Sequence, residues 1–285
     1  MTLRIDPIWQ EIRNSVLQDA QEEPILASFL HMTVLRHKSL EDVLSFHLSS
    51  KLASPTMDAR TLMELISEAL TSDPSIAQAS RADIQAAYER DPACRNYATP
   101  LLYFKGFHAL QCYRITHWLW NQGRHALALF LQNRISETFT VDIHPAARIG
   151  RGILLDHGHG FVVGETAIIE DNVSILHNVT LGGTGKAEGD RHPKIRYGVL
   201  IGAGAKILGN IEVGRGAKIG AGSVVLEPVP PHTTVAGVPA RIVGMADTET
   251  PSLDMDHRIN LYPSLSMQPV GRQRAAHRHL HLPQR

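Results

Sequence analysis

A histidine flanked by glycines is the first feature of this sequence that could do chemistry. The stretch Leu155-Asp156-His157-Gly158-His159-Gly160 places His157 directly after an acid. An imidazole titrates near neutral pH and can take a proton from a hydroxyl group, while neighbouring glycines let a ligand approach the backbone. His157 is therefore a candidate general base, and Asp142 and Asp156 are candidate partners. The alternative is a surface histidine at a corner beside ordinary turn acids.

The segment Asp190-Arg191-His192-Pro193 is the second candidate site. It belongs to a polar stretch, residues 182–194, that contains no large aliphatic side chain. The guanidinium of Arg191 is a planar fork that matches a carboxylate. The segment could therefore bind an anionic group, or it could be a solvated loop without a ligand.

Several histidines of the same region raise the alternative of a zinc site. They are His144, His157, His159, His177 and His192. Neutral imidazoles are common zinc ligands. His159 and His177 are 18 residues apart and form the pair best spaced to stack. Few other pairs share an obvious face, so we expect no metal.

A repeat of six residues must position these side chains. Aliphatic residues follow this period at Ile195, Ile201, Ile207, Val213, Ile219 and Val225, and again in 143–181 with a two-residue slip between Leu155 and Val163. Such a period predicts short strands joined by sharp corners, with the aliphatic side chains inside. We therefore predict a left-handed parallel β-helix over 141–243. Leu181 and Ile195 are fourteen residues apart, two more than two repeats, so residues 182–194 are predicted to leave the coil as a loop.

Small residues could form a strip along this β-helix. Three six-residue steps make one turn, so Ala203 and Ala221 should lie one above the other, and Gly183 is grouped with them. An elongated ligand could lie against backbone amides there. The alternative is that these are merely corner residues.

The remaining chain is predicted to be helical before the β-helix and flexible after it. Residues 1–140 contain no glycine before Gly106 and show helical apolar spacing, with Ser39 and Asp73 as expected N-caps. One long helix is expected from Leu101 to about Asn121. We assign 1–140 as an α-helical oligomerisation domain and 244–285 as a flexible tail, which makes the fold class α+β.

Composition excludes several classes of function. The 285 residues carry 28 basic and 28 acidic side chains, so charge gives no case for a nucleic-acid or membrane partner. Two scattered cysteines fit a reducing compartment, and no apolar signal segment is present at the N-terminus. We expect a cytoplasmic protein.

Specific motifs between about Asp91 and Val243 resemble bacterial serine O-acetyltransferases of the hexapeptide-repeat acyltransferase superfamily. They include Asp91-Pro92-Ala93, Val141-Asp142-Ile143-His144-Pro145, Leu155-Asp156-His157-Gly158, Val163-Gly164-Glu165-Thr166-Ala167 and Gly189-Asp190-Arg191-His192-Pro193-Lys194. The resemblance implies acetyl transfer from acetyl-CoA to the hydroxyl of L-serine, giving O-acetylserine for cysteine biosynthesis. The alternatives are an acetyltransferase of the same fold acting on a sugar or amine, and a β-helix zinc hydratase.

The resemblance also implies residue roles. His157 would be the base, with Asp142 holding its imidazole, and attack on the thioester would be direct. Asp91 and Asp156 would bind the amino group of serine, and Arg191 and His192 its carboxylate. Acetyl-CoA, the co-substrate, would bind along Gly183, Ala203, Lys218 and Ala221.

Partners follow from the same resemblance. Family members form trimers through the β-helix, often paired into hexamers, and L-cysteine is a common feedback inhibitor. Many end in an isoleucine that binds O-acetylserine sulfhydrylase, whereas this chain ends Leu282-Pro283-Gln284-Arg285. The sequence also departs from the family at His159, where a non-ionisable residue is usual.

Overall fold

The N-terminal half of the chain is helical in the computed structural model, which describes residues 6–185 and 188–259. The helices are α1 (Pro7–Glu22), α2 (Ala27–Leu30), α3 (Leu40–Leu52), α4 (Ala59–Ser72), α5 (Pro74–Arg90), α6 (Ala98–Tyr103), α7 (Lys105–Asn121) and α8 (His125–Phe139), with a π-helical turn at His31–Leu35. The Ser39 and Asp73 side chains accept hydrogen bonds from the Asp42 and Ser75 amides, 3.2 and 3.0 Å long, so both predicted N-caps are confirmed.

The helix expected from Leu101 to about Asn121 is interrupted at Phe104. This residue has an extended backbone (φ −87°, ψ 105°), so α6 ends before it and α7 begins after it. A Cβ on Gly106, in the first turn of α7, would lie 2.2 Å from the carbonyl oxygen of Leu155. The break therefore allows α7 to start in backbone contact with the C-terminal half, a contact that local helix propensity does not encode.

Short strands, all paired in parallel except for the last two, form the second half. They are β1 (Val141–Ile143), β2 (Arg148–Ile149), β3 (Leu154–Leu155), β4 (Phe161–Val163), β5 (Ile168–Ile169), β6 (Ser174–Ile175), β7 (Thr180–Gly182), β8 (Lys194–Ile195), β9 (Leu200–Ile201), β10 (Lys206–Leu208), β11 (Glu212–Val213), β12 (Lys218–Ile219), β13 (Val224–Val225), β14 (Thr233–Gly237) and β15 (Ala240–Met245). Successive strands visit three sheets in turn: face 1 (β1-β4-β7-β10-β13), face 2 (β2-β5-β8-β11) and face 3 (β3-β6-β9-β12-β14-β15). The predicted parallel β-helix is confirmed.

The six-residue aliphatic repeat fills the interior of this solenoid. Ile195, Ile201, Ile207, Val213, Ile219 and Val225 are all at most 2% exposed. Burying such a side chain stabilises the fold by about 1.5–3 kcal/mol relative to exposure. The repeated inward aliphatic is thus the main reason that this half of the chain coils.

The loop after β7 is longer than the sequence count suggested. Val163 and Ile169 join face 1 to face 2 in six residues, whereas Leu181 and Ile195 make the same step in fourteen. Eight residues therefore leave the solenoid, not two. The predicted excess of two residues is wrong because Leu181 and Ile195 lie on adjacent faces, one six-residue step apart, and not two steps apart.

The first part of the predicted flexible tail is folded. Helix α9 (Pro251–Asp254) lies on face 3, where the Ser252 hydroxyl donates to the Asn172 carbonyl and the Ser174 hydroxyl donates to the Ser252 carbonyl, at 2.6 and 2.7 Å. Flexibility is therefore wrong for this part, because polar contacts fix a segment that lacks periodicity. Residues 260–285, including the atypical C-terminus, lie outside the described residues. No helix among the residues described has the length and apolar character to span a bilayer.

Two buried histidines make stability pH-dependent. His47 and His108 meet in the helical core with ring centroids 5.0 Å apart. Burial, with smaller effects of nearby positive charge, lowers the pKa of His47 to about 4 and that of His108 to about 3. As the pH falls below about 6.5, both imidazoles take up a proton in the unfolded chain, whereas in the folded chain they stay neutral to a lower pH.

We expect the free energy of unfolding to fall as the pH falls from about 6.5 to about 4. The slope for each histidine approaches about 1.4 kcal/mol per pH unit. Urea unfolding at several pH values measures it. His47→Leu should flatten the slope, while the exposed control His31→Leu should not. An unchanged slope in His47→Leu would contradict the assignment.

Candidate active site

His157 begins a column of corner residues between face 3 and face 1. Strand register pairs Leu155 with Ile175, Ile175 with Ile201 and Ile201 with Ile219. The residues two positions later therefore stack on successive turns, about 4.8 Å apart. We call this set, His157, His177, Ala203 and Ala221, the corner column.

The expected stack of His159 on His177 is wrong. The first turn of the solenoid has twenty residues, because Leu155 pairs with Ile175, so His177 lies over His157. Their ring centroids are 5.8 Å apart with an interplanar angle of 69°. His159 instead has Nδ1 3.0 Å from the Thr140 hydroxyl and 3.4 Å from Nζ of Lys105. The slip between Leu155 and Val163 causes this shift.

The proposed base is well exposed for reaction. The His157 side chain is 71% exposed, and its backbone has a positive φ of 56°. Such left-handed backbone is uncommon outside glycine and occurs often at functional sites. The turn is held because Gly158 packs against the start of α7, where an added Cβ would lie 2.8 Å from Cα of Gly106.

The structure does not bring Asp142 to the imidazole. Oδ1 of Asp142 accepts a hydrogen bond of 2.7 Å from the Gln132 amide. Among the described residues, the carboxylate that pairs with His157 is that of Asp156. Its Oδ1 lies 3.8 Å from Nε2 of His157, which is longer than a hydrogen bond. Asp142 as the orienting residue therefore stays a prediction.

Asp91 and Asp156 belong to neighbouring elements on face 3. Asp91 caps α5, which packs on β3, and Asp156 follows β3 directly. Oδ1 of Asp91 accepts from the Ala93 amide at 2.8 Å. Within 6–185 and 188–259, neither carboxylate pairs with a lysine or arginine. Both can therefore accept a ligand ammonium.

A second cluster occupies the corner between face 1 and face 2. Nη2 of Arg191 is 2.6 Å from a carboxylate oxygen of Glu165, which lowers the pKa of that carboxyl. Nδ1 of His192 is 2.9 Å from the Thr166 hydroxyl, and burial lowers the pKa of His192. A Cβ on Gly164 would lie 2.0 Å from the His192 ring. We call this set, Gly164, Glu165, Thr166, Arg191 and His192, the loop cluster.

Gly183 belongs beside the loop cluster and not in the strip with Ala203 and Ala221. It follows β7, and its added Cβ would lie 3.6 Å from the Arg191 carbonyl oxygen. Ala203 and Ala221 do stack, since the Gly222 amide donates to the Ala203 carbonyl at 2.7 Å. The grouping failed because the extruded loop shifts the corner on which Gly183 stands.

The two clusters lie at opposite ends of one face in a single chain. His157 precedes β4 and Gly164 follows it.

Lys218, on face 3, is buried, and its ammonium donates to the Arg258 carbonyl. Sequence reasoning considered His177 only as a possible zinc ligand, and it assigned no role to Glu165 or Thr166, although both fall in a recognised motif. The described residues contain no cluster of three or more potential metal ligands. The absence of a metal stays a prediction.

Comparisons with known proteins agree on one family. The serine acetyltransferase N-terminal family matches residues 8–112, and the bacterial transferase hexapeptide family (six repeats) matches 192–227. The serine acetyltransferase of Escherichia coli strain K12 is 64% identical over 256 residues, covering 90% of this chain and 94% of that protein.

Two solved structures carry informative ligands. A serine acetyltransferase in complex with cysteine aligns with a TM-score of 0.87 and 60% identity, covering 88% of this chain and 98% of that one. The Brucella abortus strain S19 serine acetyltransferase in complex with coenzyme A aligns with a TM-score of 0.84 and 55% identity, covering 85% and 97%.

Proposed function

This chain belongs to the serine acetyltransferase family, and we propose that it transfers the acetyl group of acetyl-CoA to the hydroxyl of L-serine at a site shared by two neighbouring copies. The family makes it an acyltransferase. The high identity over most of the chain supports serine as acceptor over a sugar, an amine or a zinc-dependent hydration.

The reacting groups have matching chemistry in this proposal. Asp91 and Asp156 bind the ammonium of serine, and Arg191 with His192 binds its carboxylate. His157 takes the hydroxyl proton, because an alcohol is too weak a nucleophile unaided. The oxygen then attacks the thioester directly.

CoA binding follows the corner column in this proposal. The pantetheine arm lies along Ala203 and Ala221, with Gly183 contributed from the neighbouring copy. The coenzyme A complex of the Brucella abortus relative supports acetyl-CoA as the co-substrate. Lys218 stands beside this path on face 3, where residue 258 engages its ammonium.

The separation of the two clusters carries the shared-site proposal. Serine is small, yet its proposed base and carboxylate ligands stand at opposite ends of β4 in one chain. Packing the corner column of one copy against the loop cluster of the next closes the gap. The same contact repeated about a three-fold axis gives a closed trimer, and the helical domains can pair trimers into a hexamer.

Subunit mixing tests this arrangement. His157→Ala and Arg191→Ala chains should each be nearly inactive at low serine concentration, since each damages every site. Co-produced in equal amounts, they should recover about one quarter of parental activity, because random neighbours then combine an intact corner column with an intact loop cluster. No recovery in a mixed oligomer would assign both clusters to one chain.

L-cysteine is expected to compete with L-serine. It carries the same ammonium and carboxylate, so Asp91, Asp156, Arg191 and His192 can bind it equally well. The relative bound to cysteine supports this expectation. The apparent KM for serine should rise with cysteine concentration while kcat stays constant. The rate is measured as the loss of thioester absorbance. 3-Mercaptopropionate, which lacks the ammonium, is the control and should inhibit at least about tenfold less strongly. A cysteine titration without effect would contradict the prediction.

A further inference from the structure

Arg90 carries a buried guanidinium without a carboxylate partner. It is the last residue of α5 and is 6% exposed, yet it forms no ion pair in the part of the chain that the structure describes. Burial lowers the pKa of Arg90, because desolvation disfavours the charged form. Its Nε is buried and has no hydrogen-bond partner among the residues described. An apolar side chain of similar size would cost less there, so packing alone does not explain the arginine.

The two terminal nitrogens of Arg90 hold the end of α5 on face 3. Nη1 donates to the Ser174 hydroxyl and Nη2 donates to the side-chain carbonyl of Asn172, each at 3.1 Å. Ser174 is restrained in turn, because its hydroxyl donates to the Ser252 carbonyl at 2.7 Å. A planar guanidinium that reaches two separate acceptors fixes the direction of the chain that leaves the helix as well as its distance from the sheet.

The residue that follows Arg90 is Asp91, one of the two carboxylates proposed to bind the ammonium of serine. The other, Asp156, is tied to the same strand β6, because its amide donates to the Ile175 carbonyl at 2.8 Å. A continuous connection of covalent and hydrogen bonds therefore runs between the two carboxylates through Arg90 and β6. The inference below rests on the proposed function and concerns its ammonium site.

We propose that Arg90 is a positioning residue that sets the Asp91 carboxylate relative to that of Asp156, so that the pair fits an α-ammonium group. Two acceptors bind one ammonium together only at the right spacing. A shift of about 1 Å in one of them should weaken the binding of L-serine and of L-cysteine, which carry the same group. A positive charge near the site would by itself repel an ammonium, so the benefit of Arg90 comes from geometry and not from charge.

Arg90→Lys tests the geometry without removing the charge. Lysine stays positive but lacks the planar fork that reaches two acceptors. We expect KM for L-serine to rise about tenfold, the scale of a lost hydrogen bond to a charged group, and the inhibition constant of L-cysteine to rise in proportion. The kcat and the KM for acetyl-CoA should stay within about threefold of the parent, because neither depends on the ammonium site. A parental KM for serine in Arg90→Lys would overturn the proposal.

A double-mutant cycle with Asp91→Ala separates positioning of this carboxylate from general damage. Asp91→Ala should raise KM for serine at least about tenfold, because a charged ligand is lost. Adding Arg90→Lys should then change KM less than about twofold, since the position of a missing carboxylate no longer matters. Full additivity of the two substitutions would overturn the proposal. A parental KM in Asp91→Ala would instead refute Asp91 as an ammonium ligand, which is the part of the proposed function on which this inference rests.

Arg196→Lys is the matched control. Arg196 follows β8 on face 2, where its guanidinium pairs with Glu170 at 2.8 Å, and the variant should keep the parental KM for serine. Circular dichroism and oligomer size check the folding of every variant. If Arg90→Lys does not fold, Ser174→Ala takes its place, because it removes only the acceptor of Nη1. Its KM for serine should rise about fivefold, and a parental value would overturn the proposal.

Discussion

Replacement of His157 by alanine should lower kcat for serine-dependent CoA release by about 10²–10⁴-fold, the usual contribution of a general base. The His157 side chain is mostly exposed at the corner, so its removal leaves no cavity in the core. KM for serine should change little, because Asp91, Asp156 and the loop cluster remain. Thiol release from acetyl-CoA, with and without serine, measures the effect.

His159→Ala is the matched control for this substitution. His159 lies on the same turn, is also exposed, and contacts Thr140 and Lys105 instead of the corner column. It should retain kcat within about threefold, as expected for a surface substitution away from the chemistry. Equal loss in both variants would show that the turn, and not the imidazole of His157, matters. Parental activity in His157→Ala would remove His157 as the base.

Asp83→Ala is expected to cause the largest loss of stability. Oδ2 of this 1% exposed residue accepts from Nη2 of Arg114 at 2.7 Å and from the Gln111 amide at 2.9 Å, while Oδ1 accepts from the Ile153 amide at 2.9 Å. Arg114 also donates to the Gly150 carbonyl at 2.8 Å. One carboxylate thus joins α5 and α7 to the first turn of the solenoid.

Removing that carboxylate leaves the Arg114 charge buried and unpaired. Such losses cost about 3–5 kcal/mol, which corresponds to a thermal midpoint lower by on the order of 10 °C. Thermal unfolding is compared at one protein concentration, since association stabilises oligomers. Glu64→Ala, which breaks the exposed Arg60–Glu64 pair, is the control and should cost less than about 1 kcal/mol.

A double variant tests the cause. Asp83→Leu with Arg114→Met replaces both charges by apolar groups and should recover part of the lost stability. If Asp83→Ala and Glu64→Ala shift the midpoint equally, the buried pair does not join the two halves of the molecule. The same conclusion would follow if the losses of stability of the two single substitutions simply added in the double variant, because additivity means that the two side chains do not interact.

The sequence by itself determined the fold of the second half of the chain and many of the helices of the first half. The aliphatic residues from Ile195 to Val225 repeat every six residues. Each is buried because six residues make the step from one face of the solenoid to the next, so every repeat points the aliphatic side chain inward. Helix starts at Ser39 and Asp73 were readable because capping is local chemistry. Candidate residues such as His157 and Arg191 were recognisable from residue type and motif.

Only the tertiary structure decided which of these residues meet. Stacking depends on the number of residues in each turn, and two insertions change it: the two-residue slip after Leu155 and the eight-residue loop after Leu181. They move His177 over His157 and Gly183 to the next corner. A contact between residues on successive turns is non-local, so it follows from the summed length of the intervening chain. Local patterns fix each step of the coil, but the register between turns is decided by how all the steps pack together.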